Sequence, residues 1–236
     1  MIKIPDHIQK LQPYKAGKPI EELAREKGIK KIVKLASNEN PLGPSPLAVE
    51  EIKKHVNELH RYTNPAAYKL VNAIAAKYNK KPEQIVTGSG SDSLLQYLIT
   101  AFSDEEDEFI TSEGTFIGWY VNANKYGRKS ILLPLKSYGF DLDRISASVT
   151  NKTKIIYLAN PNNPTGTMFT VKEFESFMDT IPSSVLVVLD EAYTVYAESN
   201  PEYPNGLNYD MENLLVLRTL SKAYGLAGLR IGFACG

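Results

Sequence analysis

The segment that most clearly indicates a chemical function contains a lysine with hydroxyl residues before it and an arginine after it. Lys222 directly follows Ser221, Thr219 lies three residues before the lysine, and Arg230 follows eight residues after it. Hydroxyl groups and a planar guanidinium are suited to binding phosphate. A neutral lysine amine can attack an aldehyde, and a cationic neighbour such as Arg230 would lower its pKa. A lone lysine after serine is usually a solvated surface residue, so the prediction depends on the flanking residues.

Polar residues further upstream could bind a flat, charged ring. Asp190 follows the apolar run 185–189, and Tyr193 comes three residues later. The carboxylate could pair with a protonated pyridine nitrogen, and Tyr193 or Asn163 could bind a ring hydroxylate. Together with Lys222, these groups match the needs of pyridoxal phosphate. The alternatives are that Asp190 is a helix or turn cap and that the Asn-Pro-Thr-Gly sequence at Asn163 is an ordinary turn.

A glycine-rich turn supplies further candidates for binding a phosphate. The segment 87–92 reads Thr-Gly-Ser-Gly-Ser-Asp, lies between a predicted strand and a predicted helix, and ends in Ser91 and Asp92. The start of a helix presents free backbone N–H groups and the positive end of its dipole to an anion. The glycine spacing does not match the dinucleotide-binding fingerprint, and no Gly-Lys-Ser/Thr of a Walker loop follows. A plain strand-to-helix turn capped by Asp92 is the alternative.

Several aromatic residues follow another predicted strand, in the segment 113–120. Most of them are expected to pack in the core. One of them, which we take to be Phe116, could stack on a flat ring.

Apolar runs alternate along the chain with amphipathic segments, which predicts a three-layer α/β/α fold with a mostly parallel sheet. Strands are predicted at 84–87, 108–111, 130–133, 154–159, 185–189, 214–218 and 229–234, and helices at about 19–28, 45–59, 66–78, 92–102, 116–126 and 171–181. Ligands in such sheets bind beyond the carboxyl ends of the strands. Asn160, Asp190 and the segment 219–222 follow strand ends, so we expect them to meet at one edge.

The composition favours a soluble cytoplasmic protein over a nucleic-acid or membrane protein. The 236 residues contain 27 Lys and Arg against 27 Asp and Glu, so no strong field attracts nucleic acid or an anionic membrane. Cys235 is the single cysteine, which fits a reducing compartment. The sequence shows neither an apolar secretory core at its start nor an apolar run as long as a membrane span. No bound metal is expected.

The motifs together resemble the fold-type I pyridoxal-phosphate enzymes, and within them the histidinol-phosphate aminotransferase family. The segments that carry the resemblance are 11–14, 35–46, 61–62, 90–92, 162–166, 190–193 and 221–222, in this order. The resemblance implies a large cofactor domain at 46–236. Residues 1–45 would form an irregular N-terminal arm and part of a small domain.

The resemblance also implies a role for each residue. Lys222 would form the Schiff base and shuttle a proton, with Asp190 and Tyr193 as the other catalytic residues. Ser91, Asp92, Thr219, Ser221 and Arg230 would line the phosphate, Phe116 would stack on the ring, Asn163 and Tyr193 would lie near its hydroxyl, Tyr62 would reach the phosphate of a neighbouring subunit in a homodimer, and Tyr14, Glu39 and Asn40 would contact the substrate.

The reaction implied is transamination between histidinol phosphate and 2-oxoglutarate in histidine biosynthesis. An aromatic or broad-specificity aminotransferase and a threonine-phosphate decarboxylase are alternatives, although the decarboxylases usually lack an acid at the position of Glu39. An alternative from another class is a non-catalytic protein that binds the cofactor.

Two features depart from the family pattern. The segment 113–120 does not contain the usual Pro-x-Phe sequence. The carboxy-terminal small domain, with the arginine that grips an acidic substrate, has no counterpart here. We therefore expect a fragment of a longer protein or a truncated paralogue, in which the apolar strand at 231–235 would be uncovered.

Overall fold

A sheet of seven strands runs through the part of the chain that the computed structural model describes, residues 2–11 and 18–236. The strands are β1 (Ile85–Ser89), β2 (Glu108–Ser112), β3 (Lys129–Leu133), β4 (Thr153–Ala159), β5 (Leu186–Asp190), β6 (Leu214–Thr219) and β7 (Ile231–Cys235). Their order across the sheet is β1-β7-β6-β5-β4-β2-β3. β7 is antiparallel to both of its neighbours, β1 and β6, and the remaining pairs are parallel.

Helices connect most of the strands. They are α1 (Asp6–Gln9), α2 (Ile20–Lys27), α3 (Pro46–His55), α4 (Tyr68–Tyr78), α5 (Gly90–Phe102), α6 (Ile117–Lys125), α7 (Leu142–Ala147) and α8 (Val171–Met178). Local sequence explains several of their ends. Proline is the first residue of α3, where its missing N–H costs nothing, and Gly28 ends α2 in the left-handed conformation. Within the described residues, no helix is long and apolar enough to cross a membrane.

Two apolar layers sandwich the sheet, because side chains alternate between the faces of each strand. On β4, Ile155 and Tyr157 pack with α5 and α6, while Ile156 and Leu158 pack with α4, α7 and α8. All four side chains are fully buried. The strands are therefore apolar on both faces, and the three-layer α/β/α architecture expected from the sequence is confirmed.

The strand directions determine which loops meet. The carboxyl ends of β1, β4, β5 and β6 lie at one edge of the sheet, and β7 begins at the same edge because it is antiparallel. Arg230, immediately before β7, is therefore brought to the ends of the parallel strands. The antiparallel pairing of β7 did not follow from the sequence pattern.

Several sequence-based expectations need correction. The short helices α1 and α7 were not anticipated, and α3 ends at His55, with a 3₁₀ turn from Val56 to Glu58. The expectation that the strand at 231–235 would be uncovered is wrong. β7 lies between β1 and β6, and Phe233, Ala234 and Cys235 are buried under helices on both faces.

Candidate functional site

A pocket opens at the edge where β1, β4, β5 and β6 end and β7 begins. Its empty volume, including the open mouth, is about 590 Å³. It is lined by Ser91, Asp92, Phe116, Ala159, Pro161, Asn163, Asp190, Ala192, Tyr193, Thr219, Ser221, Lys222 and Arg230. Ten of these residues were singled out from the sequence. They come from separate segments of the chain, which the sheet topology brings together.

Lys222 projects from the segment after β6 and is half-buried. Its Nζ donates a hydrogen bond to the Ser37 carbonyl at 2.8 Å and lies 5.8 Å from the centre of the Tyr193 ring. Burial, and to a lesser extent the charge of Arg230, lower the pKa of this amine, although the carboxylates of Asp190 and Glu39 oppose the shift. The lysine therefore has a larger neutral, nucleophilic fraction than a solvated lysine.

Hydroxyl groups and a guanidinium line one side of the pocket. Thr219 Oγ1 donates to Ser221 Oγ at 3.0 Å, and Arg230 Nη1 lies 3.4 Å from the same Ser221 oxygen. Arg230 Nη2 also reaches the Ser89 carbonyl at 3.4 Å. Together these donors suit a phosphate group.

The turn between β1 and α5 lies beside this arginine. Gly90 adopts a φ of 76°, and a Cβ atom there would lie 2.4 Å from Arg230 Nη2. The left-handed backbone conformation therefore favours glycine, and a side chain here would displace the guanidinium. Ser91 and Asp92 follow in the first turn of α5, where backbone N–H groups have no helical partners. Asp92 is held by Asn122 Nδ2, which donates to its Oδ1 at 3.0 Å.

Asp190, the last residue of β5, is buried at the base of the pocket. Tyr157 donates its hydroxyl hydrogen to Asp190 Oδ2 at 2.7 Å, and the Ala192 N–H donates to Oδ1 at 3.0 Å. Burial raises the pKa of the Asp190 carboxyl, and these two hydrogen bonds oppose the shift. Sequence reasoning missed Tyr157. Ala159 pairs with Asp190 across the two strands, and Tyr157 lies two positions before Ala159 on the same face. A tyrosine within the predicted strand 154–159 was the available signal.

Asn163 and Tyr193 also line the pocket. Asn38 Nδ2 donates to the Tyr193 hydroxyl at 2.8 Å, so the N-terminal segment reaches the mouth of the site. The neighbouring Asn40 Nδ2 donates to the Ala223 carbonyl at 2.7 Å. Burial raises the pKa of Tyr193, which keeps its hydroxyl protonated and able to donate.

A buried ion pair braces β5 against β6 behind the pocket. Arg218 donates to Glu191 Oε2 through Nε at 2.9 Å and Nη2 at 2.6 Å. The other carboxylate oxygen accepts the Gly206 N–H at 2.6 Å. Arg218 and Glu191 are next in sequence to Thr219 and Asp190, so the pair fixes the spacing between the two sides of the pocket.

Three residues singled out from the sequence lie away from the pocket lining, and a fourth is not described. Tyr62 is fully exposed to solvent. Glu39 pairs with Lys34 at 2.6 Å, and Asn40 makes the Ala223 contact described above. Tyr14 lies outside the described residues.

The arrangement could hold a flat phosphorylated aldehyde. It offers an amine with a lowered pKa, a cluster of phosphate donors, a buried carboxylate and the Phe116 ring in the pocket lining. Within the described residues, no group of three or more His, Cys, Asp or Glu side chains is placed to hold a metal ion.

Comparisons with known proteins agree with this geometry. Residues 30–236 match the family described as aminotransferase class I and II. The chain is 47% identical to histidinol-phosphate aminotransferase 2 of Hydrogenovibrio crunogenus over 229 residues, 96% of this chain and 61% of that protein. It is 44% identical to histidinol-phosphate aminotransferase of an Anaeromyxobacter strain over 233 residues, 98% of this chain and 64% of that protein.

Solved structures give the same result. Histidinol-phosphate aminotransferase from Sinorhizobium meliloti, solved in complex with pyridoxal-5'-phosphate, superposes with a TM-score of 0.88 at 29% identity, over 100% of this chain and 63% of that one. The chain therefore belongs to the class I and II aminotransferase family. It spans about three fifths of the length of the curated relatives that it matches.

Proposed function

We propose that the protein is a pyridoxal-phosphate-dependent aminotransferase that exchanges an amino group between histidinol phosphate and 2-oxoglutarate. The observation that carries the proposal is the convergence of Lys222, Asp190 and Arg230 on one pocket from three separate segments. Family membership and the names of the 44–47% identical relatives support it.

The pocket fits this cofactor by shape and by chemistry. Gly90 leaves room for the Arg230 guanidinium, where a side chain would collide with it. Thr219, Ser221 and the first turn of α5 add donors on the phosphate side. Asp190 would hold the ring nitrogen in its protonated form, and Asn163 and Tyr193 would bind the ring hydroxyl.

Lys222 would carry out the proton transfers of the reaction. Pyridoxal phosphate, when bound, supplies an aldehyde that combines with amines and a ring that withdraws electrons from the substrate Cα. Lys222 Nζ would hold the cofactor through its aldehyde carbon. Once the substrate amine has taken that place, the free amine of Lys222 would accept the proton from the substrate Cα and donate it to the former aldehyde carbon of the cofactor. Burial lowers the pKa of Lys222, which favours the neutral amine that can accept this proton.

Borohydride trapping tests the cofactor site directly. After incubation with pyridoxal phosphate and reduction, the peptide that contains Lys222 should carry a phosphopyridoxyl group in mass spectra. Lys222→Ala should remove the label, whereas Lys129→Ala, at an exposed lysine, should retain it. Equal labelling of the Lys222→Ala protein would refute the assignment.

Substrate choice needs a separate assay. Transfer from histidinol phosphate to 2-oxoglutarate is the expected activity. Faster transfer from aromatic amino acids would indicate a broad-specificity aminotransferase, and carbon dioxide release from threonine phosphate would indicate a decarboxylase. We also propose a cytoplasmic homodimer, in which Tyr62 of one subunit approaches the phosphate side of the other.

A further inference from the structure

Tyr157 contacts the base of the candidate site from inside the sheet. In the pairing of β4 with β5, Ala159 lies opposite Asp190 and Tyr157 lies opposite Val188. Because side chains alternate along a strand, Tyr157 and Asp190 project from the same face. The Tyr157 hydroxyl lies 2.7 Å from Asp190 Oδ2, and the tyrosine is fully buried.

Aromatic packing fixes the direction of this hydroxyl. Trp119 of α6 stacks on the Tyr157 ring, with 4.7 Å between ring centres and 10° between ring planes. Phe109 packs against the same indole at 5.2 Å. A tyrosine has two side-chain torsions, and close packing in a buried layer leaves it little freedom. The packing therefore holds the Tyr157 hydroxyl in one orientation, directed at Asp190 Oδ2.

The charge of Asp190 depends on its surroundings. Burial raises the pKa of the carboxyl, and the Tyr157 hydrogen bond is the largest contribution in the opposite direction, followed by the Ala192 N–H and the charge of Lys222. The titratable groups that face Asp190 among the described residues are Tyr157 from β4, Tyr193 on the segment after β5 and Lys222 on the segment after β6. Of these three, Tyr157 is the one that contacts the carboxylate with a hydrogen-bond donor.

We propose that Tyr157 is a positioning residue, which keeps the Asp190 carboxylate ionised and orients its free lone pairs toward the ring nitrogen of the cofactor. The inference rests on the proposed function, because it concerns the partner of that nitrogen. A protonated Asp190 cannot accept the nitrogen's hydrogen as an ion pair, so it would hold the ring cationic less well. Loss of the Tyr157 hydroxyl should therefore slow proton removal from Cα while leaving the phosphate contacts in place.

The test begins with the unliganded protein, so that it does not depend on catalysis. Aspartate is labelled with ¹³C at its carboxyl carbon, and the Asp190 signal is identified by its absence in Asp190→Asn. In Tyr157→Phe, the titration midpoint of this signal should rise by about one pH unit or more. Tyr203→Phe is the matched control, because Tyr203 is also buried and donates instead to the Asn160 carbonyl at 2.8 Å.

A second readout uses the loaded enzyme. Tyr157→Phe should lower kcat about tenfold or more and change KM much less, since the phosphate and substrate contacts remain. Replacement of Tyr157 by 3-fluorotyrosine, a stronger donor of similar shape, should move the Asp190 midpoint downward. The 3-fluorotyrosine measurement still tests the proposal if Tyr157→Phe folds poorly.

Two results would overturn the proposal. One is an Asp190 midpoint in Tyr157→Phe that moves no more than in Tyr203→Phe. The other is an unchanged midpoint with 3-fluorotyrosine. If the wild-type protein neither binds pyridoxal phosphate nor transaminates, the proposed function fails while the titration still shows whether Tyr157 controls Asp190.

Discussion

At the scale of single residues, the pocket places opposite electrostatic demands on Lys222 and Asp190. In the proposed mechanism, the lysine must lose its proton to react, and the aspartate must lose its proton to pair with a cation. Burial alone favours the neutral form of both groups. It therefore helps Lys222 and works against Asp190, which is the group that receives two hydrogen bonds.

We expect Asp190→Asn to slow catalysis strongly while cofactor binding is partly retained. A neutral amide cannot hold the ring nitrogen protonated, so proton removal from Cα should slow by a factor on the order of 10³, or about 4 kcal/mol. Loss of deuterium from Cα-deuterated substrate measures this step. Asp210→Asn, at an exposed position away from the pocket, is the control. Exchange in Asp190→Asn within a few-fold of the parent rate would contradict this role.

The reactivity of Lys222 should depend on pH in a defined direction. Only the neutral amine attacks an aldehyde, so the rate should rise with pH and level off above the pKa. Because burial lowers that pKa from 10.5, the midpoint should lie below this value. Trapping of propanal on Lys222 by borohydride, read by mass spectrometry across a pH series, measures the midpoint.

Glu39→Gln tests whether a nearby carboxylate shifts this midpoint. Its carboxylate raises the pKa of Lys222, so removing the charge should move the midpoint to lower pH. A shift to higher pH would show that the two groups are not coupled in this way. Glu39 is partly exposed, so the shift should be small.

At the scale of secondary-structure elements, the site depends on turns that follow strand ends. The β1–α5 turn presents the start of a 13-residue helix to the pocket and admits the Arg230 side chain. The buried Arg218–Glu191 pair joins the ends of β5 and β6. Neither feature reacts with a substrate, yet both determine where reactive groups lie.

Gly90→Ala should damage phosphate binding. The residue has a left-handed φ of 76°, and the new Cβ would lie 2.4 Å from Arg230 Nη2, so the guanidinium must move. We expect a loss of about 1–2 kcal/mol in stability from the backbone and at least about tenfold in affinity for pyridoxal phosphate. Urea unfolding and cofactor titration measure the two effects.

Gly28→Ala separates backbone strain from the clash. Gly28, at the end of α2, also has a left-handed φ, of 64°, but a Cβ added there would meet no atom within 4 Å among the described residues. It should lose similar stability without losing cofactor affinity. Equal affinities of the two variants would show that the approach of Arg230 to Gly90 does not matter for binding.

At the scale of the whole molecule, large apolar side chains are exposed on the N-terminal third of the chain. Leu35, Leu42, Leu47, Leu59 and Tyr62 are each more than 70% exposed. In the proposed homodimer, the subunit interface would cover some of these side chains.

Tyr62→Phe should weaken cofactor binding although Tyr62 lies outside its own pocket. The expected cause is loss of a phosphate contact across the dimer, with an increase in Kd of roughly tenfold. Tyr68→Phe is the control, because Tyr68 is also exposed. Sedimentation should show a dimer in both variants. An unchanged Kd in Tyr62→Phe, or a monomeric parent protein, would count against the shared site.

Local sequence was sufficient to predict a mostly parallel sheet and most of the residues that line the pocket. Apolar runs of strand length, such as 185–189, and polar residues directly after them report on burial and on strand ends, and both are local properties. Lys222, Asp190 and Arg230 were singled out because the residues that flank them form a pattern that suits a phosphorylated aldehyde, although each of them alone has an ordinary structural reading.

Contacts between distant segments could be decided only by the tertiary structure. The antiparallel β7 that delivers Arg230, the Tyr157 hydrogen bond to Asp190 and the contact of Ser37 with Lys222 join residues far apart in sequence. Each depends on strand register or loop path, which are set by the packing of the whole sheet rather than by neighbouring residues. A buried tyrosine in an apolar strand looks like core until its partner is known.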